Sequence, residues 1–321
     1  MSRTLRRSIT CAEEALASNA QALDLARAVG SARLEVGALS GFGDAYFMSA
    51  AMKTAVSYYT QAVERARSDG LVRDVAANLH NLSVARSYSG DVVQGRKDGI
   101  EAVEVSRSYF ALVPECVALT CLGVAHTLLD EIEDALEVFA NSAEVGARVG
   151  AKRLEAQALE HLARTQVYAG LAEEAEKTGR KAVGVALEHG PNFVGPKAIS
   201  ALALAISDAD EQDRLLEQGE ALVAKGCVGH NYLHFYPDAC AIMIDRGEWE
   251  RALAYADALE RVTQKERLPL VDLTLREIRC LAEAGQHGNA PTEGEGADTL
   301  RTDFARTGVR RSLSGRTDFI I

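Results

Sequence analysis

The chain has 321 residues, 47 % of them hydrophobic and only 6 % aromatic, with six prolines and a formal net charge of −11. A surface of that sign repels phosphate backbones and argues against nucleic-acid binding. No apolar run reaches the roughly eighteen residues that a membrane span needs.

The N-terminal MSRTLRRSITCAEEALASNA is basic but has no apolar stretch, so it does not read as a secretory signal. Helical periodicity begins within it and then recurs in a fixed register of forty residues. VGSARLE at Val29–Glu35 returns as VGAKRLE at Val149–Glu155. Leu39, Leu79, Leu119 and Leu159 share one column; Phe42, Leu82, Leu122 and Leu162 share the next, followed by Gly43, Ser83, Gly123 and Ala163. Small residues fill three further columns, among them Ala55, Gly95, Ala135 and Ala175, and Ala62, Ala102, Ser142 and Ala182. Each unit holds two stretches of 3.6-residue period split near Gly90-Asp91, Asp130-Glu131 or Gly170, which predicts a helical hairpin. Gly30, Gly70, Gly150 and Gly190 close their units as expected left-handed helix caps, with Phe110 in the same column. A single hairpin cannot bury its apolar face, whereas stacked hairpins can. The expected fold is therefore an all-α, right-handed α-solenoid of about seven hairpins over residues 1–285, with the small columns letting helices approach closely.

In this register Met1 is equivalent to Gly41 and falls halfway through a first helix. That leaves an uncapped N-terminal end, expected of a piece of a longer array or of an end open to self-association as a homo-oligomer. The last stretch, 286–321, is rich in Gly, Thr and mixed charge without clear period and is expected to lack ordered structure.

The columns resemble the tetratricopeptide signature W-x2-L-G-x2-Y followed by A-x3-F-x2-A. Phe42-Gly43, Tyr46, Ala55, Tyr59 and Ala62 form the best copy, while Leu119, Leu122, Gly123, Ala135, Phe139 and Ser142 form another. Gly99 and Gly179 stand where the pattern has Phe, so those hairpins are expected to be less well filled. The period of forty exceeds the usual 34 of that family. His230 to Leu273 further resembles the last repeats of large bacterial signalling proteins that carry an adenylate/guanylate cyclase domain, an AAA-type ATPase domain and a tetratricopeptide tail. The matching pieces are His230-Asn231, Phe235-Tyr236, Asp238-Ala239, Gly247-Glu248-Trp249, YADALE and LPLVD. The phosphate loop and cyclase strands of that family have no counterpart here, so the resemblance implies a non-catalytic tail, with an ATPase or cyclase domain as a partner.

The tetratricopeptide resemblance implies a protein or peptide partner on the concave face. Transferring its columns gives Ser40, Asp44, His80, Ser87, Thr120, Thr127, Gln157, Glu160, Arg164, Lys197 and Ser200 as groove residues. This mixed set has no basic clamp for a terminal carboxylate. No catalytic triad, cofactor loop or metal cluster assembles, so neither an enzyme nor a cofactor is expected. His230 and His234 are spaced for a metal on one helical face, yet no acidic or thiol partner matches, and packing is the expected role. Trp249 reads as a core aromatic, and Glu131, Glu133 and Asp134 as an acidic helix start. The cysteines, Cys11, Cys116, Cys121, Cys227, Cys240 and Cys280, form no C-x-x-C pair and fit buried thiols in a reducing, cytoplasmic setting.

Overall fold

Left-handed backbone recurs every twenty residues through the first half of the chain. Gly30, Ala50, Gly70, Gly90, Phe110, Asp130, Gly150 and Gly170 all have φ between 53° and 94°. At each of them the next amide reaches back five residues, as Ser31 N–H does to Ala26 O at 3.0 Å and Leu71 N–H to Ala66 O at 2.8 Å. This pairing satisfies the orphan carbonyls of the outgoing helix and reverses the chain. The computed structural model describes residues 3–287 and 295–315, with side chains from Glu14 to His287 and from Ala297 to Gly315.

The helices between these turns are α1 (Arg3–Ala28), α2 (Ala32–Met48), α3 (Met52–Ser68), α4 (Val72–Tyr88), α5 (Val92–Ser108), α6 (Leu112–Leu128), α7 (Ile132–Arg148) and α8 (Lys152–Tyr168). From α2 to α8 each is 17 residues long. The forty-residue period is thus two helices and two turns. The stack continues through α9 (Ala172–His189), α10 (Pro191–Ala205), α11 (Ala209–Lys225), α12 (Tyr232–Asp245), α13 (Trp249–Thr263), α14 (Pro269–His287) and α15 (Glu295–Thr307), with helix starts near the same register and a 3-10 turn at Gly229–Asn231. Among the described residues all regular elements are helical, and they pair as seven hairpins from α2/α3 to α14/α15.

The small columns do what their spacing predicts. Ala55, Ala62, Ala66, Ala102, Ala135, Ala175 and Ala182 are all fully buried. Gly43 lies under the Tyr59 ring, and a Cβ on Gly123 would come within 2.5 Å of the Phe139 ring. A glycine on one helix thus seats an aromatic of the next, which is knob-and-hole packing at close range. Gly99 and Gly179 were expected to leave gaps. Instead their vacant Cβ positions are taken by Leu122 and Leu202 of the following hairpin, 3.2 Å and 3.1 Å from where a Cβ would stand. Backbone approach replaces the missing ring.

Three further expectations are corrected. Gly190 has φ −171°, extended rather than left-handed, because Pro191 begins α10 and disfavours helical backbone before it. The register places a turn near residue 10, but α1 runs unbroken from Arg3 to Ala28. The expectation of an unstructured tail fails for 295–315, which form α15 and a docked turn; residues 288–294 and 316–321 lie outside the described residues.

The stack also closes on itself. Glu266, after α13, caps the start of α3: its carboxylate accepts from Lys53 N–H at 2.6 Å, Thr54 N–H at 3.2 Å and the Thr54 hydroxyl at 2.6 Å. Gly229 packs on the Ala50 turn with no room for a Cβ, and Pro269 lies 3.6 Å from where a Cβ on Gly90 would stand. His230 faces Phe47, their ring centroids 5.8 Å apart. The inner face is therefore a narrow channel with walls on both sides rather than an open concave surface.

Candidate functional site

Helix α8 builds one wall of the channel. Glu160, His161, Arg164, Thr165 and Tyr168 recur at helical spacing on one face, opposite Lys197 and Ser200 of α10 and His234 and Asp238 of α12. Arg164 donates to Glu160 Oε2 at 2.6 Å, to Asp238 Oδ2 at 2.7 Å and to the Lys197 carbonyl at 3.2 Å. The Lys197 ammonium meets Glu160 Oε1 at 2.6 Å, and the Ser200 hydroxyl donates to Asp238 at 2.6 Å. Glu160 and Asp238 are 0 % exposed, so Arg164 and Lys197 must balance their charges for them to be tolerated.

Each group carries the mark of that environment. Burial alone would raise the Glu160 carboxyl, but Lys197 and Arg164 outweigh it and hold it below the usual range. At Asp238 burial prevails over Arg164, and the carboxyl is raised. Burial lowers Lys197 against the pull of Glu160. Burial, reinforced by the neighbouring cations, keeps His161 and His234 neutral well below their ordinary range. His161 stacks on Phe139 with centroids 5.0 Å apart, and His234 Nε2 shares a 2.7 Å hydrogen bond with the Tyr88 hydroxyl.

Above this layer lies a cavity of about 20 Å³ between Tyr88, Thr127, Leu128, Arg164, Tyr168, Ser312 and Leu313, room for a single water. Its lid is the turn that follows α15, so the chain's own residues 309–315 fill the mouth of the channel.

Of the residues expected in the groove, Thr127, Glu160, Arg164, Lys197 and Ser200 are brought together around this cavity and the ion network beneath it. Ser40 is further along, half-buried and bonded to Asn78 Oδ1 at 2.6 Å. Asp44 is exposed and accepts the Tyr59 hydroxyl at 2.7 Å. His80 and Gln157 are half-buried, and burial lowers His80 to about 4. Ser87 and Thr120 turn into their own hairpins: Ser87 abuts Gly95 and bonds to the Ser83 carbonyl, and Thr120 shares a 2.8 Å hydrogen bond with Ser142 of α7. Sequence reasoning missed Tyr88, Asp130, Tyr168, His234 and Asp238 as members of the site. The only signal for the four helical ones was polar residues on an otherwise apolar helix face, and Asp130 stands in the turn between α6 and α7.

The other candidates have structural partners. His230 Nε2 bonds to the Phe193 carbonyl at 2.8 Å, away from the Tyr88 partner of His234, so the two do not converge. Trp249 lays its ring over Gly285. Glu131 bonds to His126 Nδ1 at 2.6 Å and pairs with Arg96. With Asp134 these are the one acid–histidine cluster of metal-ligand spacing among the described residues. Cys116, Cys121, Cys227, Cys240 and Cys280 are free thiols.

Paired helices in a repeating register, small residues at the crossings and a channel on the inner face define a tetratricopeptide-like α-solenoid. No family model and no curated protein matches the sequence. Among solved structures the chain is similar to a Rap protein complexed with Competence and Sporulation Factor, at 14 % identity over 85 % of this chain and 75 % of that one, with a TM-score of 0.67. It is similar to NprR in complex with its cognate peptide NprX at 14 % identity, covering 91 % and 81 % of the two chains, with a TM-score of 0.59. The Rap conjugation gene regulator of plasmid pLS20, in complex with the Phr* peptide, matches at 14 % identity over 84 % and 80 %, with a TM-score of 0.56. At these identities the likeness is one of fold.

Proposed function

We propose that the chain is a non-catalytic receptor module that holds a peptide, or a peptide-like segment of a protein partner, in the channel walled by α6, α8 and α14. The observation that carries this reading is the seat itself: a non-helical segment, residues 309–315, already lies there, held by backbone and side-chain bonds. A surface that satisfies the polar groups of one such segment can satisfy those of another. Support comes from the folds it is similar to, three of which were solved with a peptide or factor bound. No enzymatic step is assigned, because Arg164, Lys197, Glu160 and Asp238 are engaged with one another.

The resemblance of His230 to Leu273 to ATPase–cyclase tails supports a signal-transduction setting beside such a domain. In that stretch Asn231, Asp238 and Trp249 build the channel wall or pack hairpins. The resemblance therefore supports the repeat and adds no second site. Free thiols fit a cytoplasmic setting, and no helix among the described residues is long and apolar enough to cross a membrane. Self-association would fall on α1 and the turn after it, where Leu25 and Val29 are 67 % and 68 % exposed.

Peptides selected from a random library against the full chain test the reading. Binders should lose at least tenfold in affinity when Thr127→Tyr narrows the channel. They should also slow amide exchange in α6 and α8. Binders indifferent to Thr127→Tyr that protect only α5, α7 and α9 would overturn it.

A further inference from the structure

Residues 309–315, Val-Arg-Arg-Ser-Leu-Ser-Gly, make contacts that a simple end cap does not need. Arg310 N–H and Arg311 N–H donate to the Leu128 carbonyl at 2.9 Å and 3.3 Å. Leu313 N–H donates to Thr274 Oγ1 at 3.2 Å, and the Ser314 hydroxyl to Glu277 at 2.9 Å. The Arg311 guanidinium meets Asp130 Oδ1 through two nitrogens at 2.9 Å and 2.6 Å, and lies over the Tyr168 ring at 4.8 Å. Its remaining nitrogen bonds to the Gly315 carbonyl, closing the turn. Val309 and Leu313 are 2 % and 4 % exposed. Gly308, left-handed at φ 71°, swings the segment off the end of α15.

An end cap covers the outer face of the last hairpin with polar residues. This segment does something else: it crosses from α14 to α6 and α8 and spends an arginine on a dedicated carboxylate and ring. Asp130 stands in a left-handed turn where the neighbouring hairpins have Gly90 and Gly170. The first hairpin has Ala50 there; aspartate tolerates this backbone better than most L-residues, and here its carboxylate faces the arginine. A forked guanidinium fits both carboxylate and ring face, whereas an ammonium fits neither as well.

We infer that residues 309–315 are the chain's stand-in for its partner, a peptide presenting an arginine followed by a short serine–aliphatic turn, and that the partner binds by displacing them. The inference rests on the channel being a peptide site. A tethered segment is present at an effective concentration on the order of millimolar, so a free peptide making the same contacts competes poorly until the segment leaves. The closed state is the resting one, and affinity for the partner is set by how firmly Arg311 is held.

The experiment uses the full chain and a fluorescent synthetic heptapeptide, Val-Arg-Arg-Ser-Leu-Ser-Gly, followed by anisotropy. The double variant Arg311→Glu/Leu313→Asp should expel the segment and bind the peptide at least tenfold more tightly than the unaltered chain. Arg311→Gln alone serves as the milder form if the double variant loses its helical circular dichroism. In the undocked background, replacing the second arginine of the peptide by lysine, or Asp130→Asn in the protein, should each weaken binding about tenfold. Equal binding by folded docked and undocked chains, or indifference to the lysine peptide, overturns the inference. Library-selected peptides of unrelated sequence that enter the channel, with no binding of the heptapeptide to the undocked chain, would overturn it and leave the peptide-receptor reading standing. An undocked, folded chain that binds no peptide of any sequence would overturn both.

Discussion

Gly37 and Gly123 both sit in the first helix of a hairpin, in opposite surroundings. A Cβ at Gly37 would have nothing within 4 Å, while one at Gly123 would strike the Phe139 ring at 2.5 Å. Gly37→Ala should therefore stabilise the fold by roughly 0.5–1 kcal/mol through helix propensity alone. Gly123→Ala should destabilise it by about 1–3 kcal/mol, the usual range for overpacking. Thermal unfolding of the two variants checks the pair; shifts of the same sign would mean that glycine at 123 is not there to seat a ring. The column containing Gly123 was readable in the sequence because its spacing to Phe139 repeats that of Gly43 to Tyr59. Asp238 was not readable as the partner of Arg164. The two lie 74 residues apart on helices whose facing depends on the curvature of the whole stack.

At the scale of the helix and turn, the forty-residue recurrence fixed α2 to α8 almost to the residue, since the turns at 30, 50, 70 and onward follow it. It loosens beyond Gly190: α10, α11, α13 and α14 start at 191, 209, 249 and 269, one to three residues ahead of their register positions, with Pro191 and Pro269 at helix starts, while α12 at 232 stays in register. Phe110 is the exception within the regular part. It holds φ 53° in a column otherwise filled by Gly30, Gly70 and Gly150, and its side chain is 90 % exposed. Left-handed backbone costs an L-residue about 1–2 kcal/mol, and this ring gains no burial to offset it. Phe110→Gly should raise stability by about 1 kcal/mol in a denaturant titration. A loss would mean that the ring makes a contact in solution that offsets its backbone.

Across the whole molecule, the channel ties stability to pH. Unfolded imidazoles titrate near 6.5, whereas burial keeps His161 and His234 neutral well below that and lowers His230 to about 3. The unfolded chain thus takes up more protons as pH falls through 6.5, and a contribution fully present above that value is lost below it. With His80, lowered to about 4 by burial, four such groups make the loss between pH 7.5 and 5.5 about 5 kcal/mol. Asp238, whose raised carboxyl binds a proton first in the folded state, trims the loss at the acid end. Urea titrations at the two pH values measure it, and equal midpoints would place these histidines in water. The sequence showed the stack but not its closure, since no local pattern announces that Glu266 will reach the start of α3. That one carboxylate has a wider consequence. In an open stack, copies can be gained or lost at little cost because each touches only its neighbours. A bracelet with its clasp shut admits no extra link: duplicating or deleting one forty-residue unit would carry the clasp past its eye, so evolution could vary what this molecule holds far more easily than its girth.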